Sequence, residues 1–99
     1  MENFTFKSTM LVETDVTLPR YFTIGEGMYF KILDDKNYLE VHNFSHMQYN
    51  KSLMPSISIK PNDTLGFIKT HPAKAITEED FLSFYFETKY LIEKTADIL

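Results

Sequence analysis

The sequence predicts an α+β fold: an antiparallel β-sheet of five to six strands packed against one long C-terminal α-helix. Three observations carry this. Much of residues 3–70 alternates apolar and polar side chains with the period of two that a strand imposes. Residues 77–98 switch to helical spacing behind a capping signal. Strands precede the helix and do not alternate with further helices, which favours an antiparallel meander over parallel βαβ units. A meander of this size could curl toward a half-barrel. The 99 residues suffice for one core, so a single domain over 1–99 is expected.

The first strand lies in "FTFKSTMLVE", with Phe4, Phe6, Met10 and Val12 on one face. "TLPRYFTI" follows, with Phe22 and Ile24 inward and Pro19 marking an edge or a strand start. "GEG" at 25–27 can turn tightly, because glycine tolerates positive φ. The next two strands flank the turn "DDKN". Pairing Ile32 with Leu39 and Phe30 with Val41 collects the apolar side chains on one face. The other face then pairs Lys31 with Glu40 and Tyr29 with His42, contacts of about 0.2–1 kcal/mol each. "SISIK" and "TLGFI" are expected to form a second hairpin across "PND", with Ile57, Ile59, Leu65 and Phe67 on one face.

The helix begins behind Thr77, a good N-cap, with Asp80 three residues on. Ile76 and Phe81 sit at hydrophobic-staple positions. Glu78, Glu79 and Asp80 place negative charge in the first turn, where the helix dipole favours it. At 100° per residue, Phe81, Tyr85, Ile92, Ala96 and Leu99 form the inner stripe. Leu82, Phe84, Thr88, Leu91 and Thr95 widen it.

Composition excludes several functions. The net charge is −4 and Arg20 is the lone arginine, which argues against nucleic acid, whose binding draws on cations at phosphates. No cysteine means no disulfide framework and no thiolate zinc site. No apolar run approaches the ~20 residues that span a bilayer. Met1 is not followed by the basic and apolar regions of a leader, so a cytoplasmic protein with no membrane partner is expected. The richness in Phe, Tyr, Ile, Asn and Lys fits an AT-rich genome, such as that of a bacterial phage or mobile element.

"YLEVHNFSH" at 38–46 is the stretch closest to a metal-binding pattern. Glu40 and His42 would share a strand face, and His46 could fold back as a third ligand for zinc, manganese or iron. The two histidines stand four apart, a spacing that works on a helix; here a strand end entering a loop enforces no such geometry. Packing of His42 beside Tyr29 is the plainer account, and no cofactor or metal is expected. His71 has no nucleophile in a recognisable elbow. Asp34 and Asp35 lie at a turn tip, where nothing separates their pKa values as acid–base work requires.

Two features point instead to binding. Phe86 and Tyr90 fall off the inner stripe, one turn apart, among charged residues. The segment 44–56 is long for a connection and carries Met47, Tyr49, Leu53 and Met54, apolar side chains suited to a recognition loop or a cover over the sheet end. The expectation is a small, non-catalytic protein-interaction module, self-associating as a homodimer and serving as an accessory protein with a protein partner. The alternative is a ligand- or metal-binding domain using Tyr29, Glu40, His42 and His46. A third reading is a structural subunit of a larger assembly.

Overall fold

The computed structural model describes residues 2–9, 14–43, 55–71 and 73–98, with side chains to residue 94. Strands β1 (Asn3–Phe6) and β2 (Val16–Pro19) form a separate two-stranded ribbon, Phe4 opposite Leu18 and Phe6 opposite Val16. The main sheet contains β3 (Tyr21–Thr23), β4 (Met28–Asp34), β5 (Asn37–His42), β6 (Ser56–Pro61) and β7 (Lys74–Ala75). Its order is β6-β5-β4-β3-β7, antiparallel throughout and open, so no barrel closes. Helix α1 (Thr64–Thr70) follows β6, and α2 (Glu78–Ile98) is the last of the described elements. The α+β class and the long C-terminal helix are as the sequence predicts.

Between β3 and β4, Gly25 and Gly27 adopt φ of 68° and 83°, the left-handed region that the "GEG" turn anticipates. The β4–β5 hairpin departs from expectation. Asp34 pairs with Asn37 beside the turn, but the register then shifts. One extra residue, Leu33, lies between Ile32 and Asp34 on β4, the behaviour of a β-bulge. Ile32 therefore faces Tyr38, Phe30 faces Glu40, Lys31 faces Leu39, Tyr29 faces Val41 and Met28 faces His42. The anticipated pairs Ile32–Leu39, Phe30–Val41, Lys31–Glu40 and Tyr29–His42 do not form.

"TLGFI" is helical and pairs with no strand. Asp63 caps α1, its Oδ1 accepting from Gly66 N at 3.2 Å. A Cβ at Gly66 would lie 2.6 Å from Asp63 Oδ2, so any larger residue there must push the capping carboxylate aside. Strand β6 pairs instead with β5, Leu39 opposite Ile59 and Val41 opposite Ile57.

These registers bury both faces of the sheet. On one face Phe22, Phe30, Ile32 and Tyr38 pack with Phe6 of the ribbon and Leu65 of α1. Phe22 stacks on Phe30 with centroids 5.2 Å apart, and Tyr38 on Phe67 at 4.5 Å. On the other face Tyr21 and Val41 pack under Phe81 of α2, with Tyr29, Leu39, Ile57 and Ile76 around them. The capping prediction holds, since Asp80 N donates to Thr77 Oγ1 at 3.0 Å and Ile76 joins Phe81 in the core. The helix centres its buried stripe on Phe81 and Thr88, while Tyr85 and Ile92 lie half-buried beside them. Thr88 is fully buried and donates to the Phe84 carbonyl at 2.8 Å, so its hydroxyl is satisfied within the helix.

Candidate interaction surface

The helical period settles which side chains α2 keeps in and which it leaves out. With Phe81 and Thr88 against the sheet, positions 82, 86 and 90 rise along one outer flank at four-residue spacing. Leu82 is 37% exposed, Phe86 58% and Tyr90 63%. The sheet does not wrap the helix far enough to cover them. Leu82 is a correction to the inner stripe; its spacing of four from Phe86 is the signal that finds it. The three form a ridge about 12 Å long at 1.5 Å per residue. Leu82 and Phe86 border a shallow groove shared with Glu2, whose carboxylate accepts from Tyr21 Oη at 3.4 Å. Burial, followed by the charges of Glu2 and Glu78, raises the Tyr21 phenol above its ordinary pKa.

Charge is unevenly placed around the ridge. Glu78, Glu79 and Asp80 fill the first turn, whereas further along the helix Lys89 and Lys94 alternate with Glu87, Glu93 and Asp97. On the same side of the sheet, the row Tyr21–Lys31–Leu39–Ile59 runs out from beneath α2. Tyr21 is buried under Phe81, with centroids 5.2 Å apart, while Ile59 at the other end is 60% exposed. Ile59 lies on β6, an edge strand among the described residues, where unpaired backbone groups can recruit another strand. Met47, Tyr49, Leu53 and Met54 lie outside the described residues, as does His46.

The suspected metal ligands are partly regrouped. Glu40 and His42 share a face of β5, and His42 Nε2 hydrogen-bonds Glu40 Oε1. Lys60 Nζ is 3.8 Å from Glu40 Oε2, so the second partner of the carboxylate is Lys60 and not Lys31. Lys31 instead lies over the Tyr21 ring at 5.6 Å. Glu40 is 9% exposed, and this burial is compensated by its two partners. Tyr29 points from the opposite face, where it stacks on Phe84 with centroids 3.8 Å apart. The sheet thus separates Tyr29 from Glu40 and His42. No group of three potential metal ligands occurs among the described residues. His71 finishes α1, its Nδ1 donating to the Phe67 carbonyl at 2.8 Å and its ring packed on Phe67.

No helix among the described residues is long and apolar enough to cross a membrane. Comparison with protein-family models, with curated proteins and with solved structures finds no match.

Proposed function

We propose that this protein is a self-associating interaction module that acts by binding, with two copies meeting through the outer flank of α2. The observation that carries the reading is the exposed ridge Leu82–Phe86–Tyr90. Ridges of four-residue spacing interdigitate at an interaxial angle of about −50°. A two-fold axis, the commonest closed symmetry, would run through the crossing near Phe86. Of the two senses a two-fold allows, the antiparallel one keeps the two acidic first turns apart and brings each toward the half of its mate where Lys89 and Lys94 stand among Glu87, Glu93 and Asp97. A parallel pair would set acid against acid. Aromatic side chains at such a centre carry a large share of binding energy. A cytoplasmic setting suits a chain without cysteine, since disulfides bring nothing there.

The test is the mass in solution by light scattering across a concentration series. The wild type is expected at twice the 11.6 kDa chain mass. Phe86→Lys with Tyr90→Lys is expected at the single-chain mass with an unchanged circular dichroism spectrum. A wild type that stays monomeric at millimolar concentration, or a double variant that stays dimeric, refutes the proposal.

A further inference from the structure

The face of the sheet away from α2 holds a different feature. A cleft of about 790 Å³ opens where the end of β1, the β4–β5 turn and the start of α1 converge. Its volume lies within the ~300–1,000 Å³ typical of small-molecule sites. Phe6, Pro61 and Leu65 supply apolar lining, and Phe6 and Leu65 belong to the buried core. The wall is tied together by the backbone: Asn62 N donates to Lys36 O at 2.8 Å and Thr64 N to Asp35 O at 3.1 Å. A cleft bounded this way is formed before anything enters it, which lowers the cost of binding.

Lys7, Lys36 and Lys69 also line it, one from each of three converging segments. The chain has only ten basic residues and a net charge of −4, so three lysines on one cleft run against its overall sign. Two acids share the wall. Asp63 is committed to the α1 cap through Gly66 N. Asp35 stands at the turn, leaving lysines in the majority. Lys7 lies 3.8 Å from Asp15, but both are well exposed and such pairs hold weakly. Neither Lys36 nor Lys69 forms an ion pair within 4 Å among the described residues, although Lys36 stands close enough to the turn carboxylate Asp34 to feel its charge.

We infer that this cleft binds a small organic anion, an apolar or aromatic body bearing a carboxylate, sulfonate or phosphate. The body rests on Phe6, Pro61 and Leu65, and the anionic group is held among the three ammonium groups. The cleft and the α2 ridge lie on opposite faces of the sheet, so this site does not depend on self-association.

The probe is 8-anilinonaphthalene-1-sulfonate, an aromatic anion, titrated into the whole protein and followed by amide chemical shifts. Saturable shifts are expected at Asn37, Leu65, Gly66 and Lys69. Lys36→Glu with Lys69→Glu should raise the dissociation constant about tenfold or more, the scale of losing charged hydrogen bonds. Phe86→Lys with Tyr90→Lys should leave it unchanged. A second arm needs no variant: N-phenyl-1-naphthylamine, which lacks the sulfonate, should bind the wild type about tenfold more weakly or worse. Shifts that map to α2, equal affinity for the neutral analogue, or no saturable binding overturn the inference.

Discussion

Replacing Phe81 with alanine tests how α2 is seated. The ring is 2% exposed, tilted against Tyr21 at 5.2 Å and stacked near Tyr85 at 6.2 Å. Removing a buried phenylalanine costs about 3–5 kcal/mol, the sum of lost transfer energy and the cavity left behind. Collapse of that cavity is limited here, because its floor is a hydrogen-bonded sheet carrying the buried Tyr21 and Val41. The cost should therefore lie in the upper half of the range, about 4 kcal/mol. A domain of this size has about 5–15 kcal/mol in total. At about 4–8 °C per kcal/mol the melting temperature should fall by roughly 15–30 °C. Urea unfolding followed by circular dichroism measures the loss, and an unchanged m-value assigns it to the native state. Leu82→Ala is the control, one residue on and 37% exposed. At concentrations that keep the chain monomeric, it should shift stability by about 1 kcal/mol or less. Equal losses for the two variants would mean that α2 is rotated about its axis and that the ridge is misassigned.

The α1 cap predicts a change of sign. Gly66→Ala should gain about 1 kcal/mol of helix propensity, but its Cβ would displace the Asp63 carboxylate that caps the helix. It should be neutral or destabilising in the wild type and stabilising in an Asp63→Ala background; a double-mutant cycle by thermal denaturation without coupling would remove the cap from the account. Asp34 accepts from Lys36 N at 2.8 Å and then from Asn37 Nδ2 at 3.0 Å, which holds its carboxyl below the ordinary aspartate range. The folded value is depressed, so this contribution is full above the unfolded pKa of about 3.9 and fades as pH falls through the folded value. Asp34→Asn should flatten that part of the acid limb in a stability–pH profile, and an ordinary carboxyl titration of Asp34 by NMR would contradict it.

The helix α2 was legible because its signals are local. Thr77, Ile76 and Phe81 act within one turn, and the chain there need not know the rest of the fold. The β4–β5 register was not, and the reason lies in burial. Where one face of a sheet is wet, alternation selects the register, because a slip exposes the apolar set. Here Phe30, Ile32 and Tyr38 fill one core while Tyr29, Leu39 and Val41 face the other. Either register leaves apolar neighbours on both sides, and an irregularity at Leu33 decides between them. "TLGFI" failed for a related reason. Leu65 and Phe67 fit a strand, Leu65 and Ile68 fit a helical turn, and five residues are too few to separate the periods. Asp63 before Thr64 was the available sign of a helix start. On the outer flank of α2 the exposed pair Phe86 and Tyr90 was visible from helical phase alone. The three lysines of the cleft lie 29 and 33 residues apart, and no local pattern connects them.

The bulge at Leu33 also governs where this hairpin can change length. Delete Leu33, and Asp34 beside Asn37 becomes continuous in phase with Ile32 beside Tyr38; each remaining side chain keeps its core. Delete a residue at the middle of β4 or β5, and every side chain beyond it crosses the sheet, sending Phe30 toward α2 or Val41 toward the ribbon. Length variation in descendants of this chain is therefore confined, within the hairpin, to the bulge and its turn, while substitutions that preserve side-chain size are open along both strands.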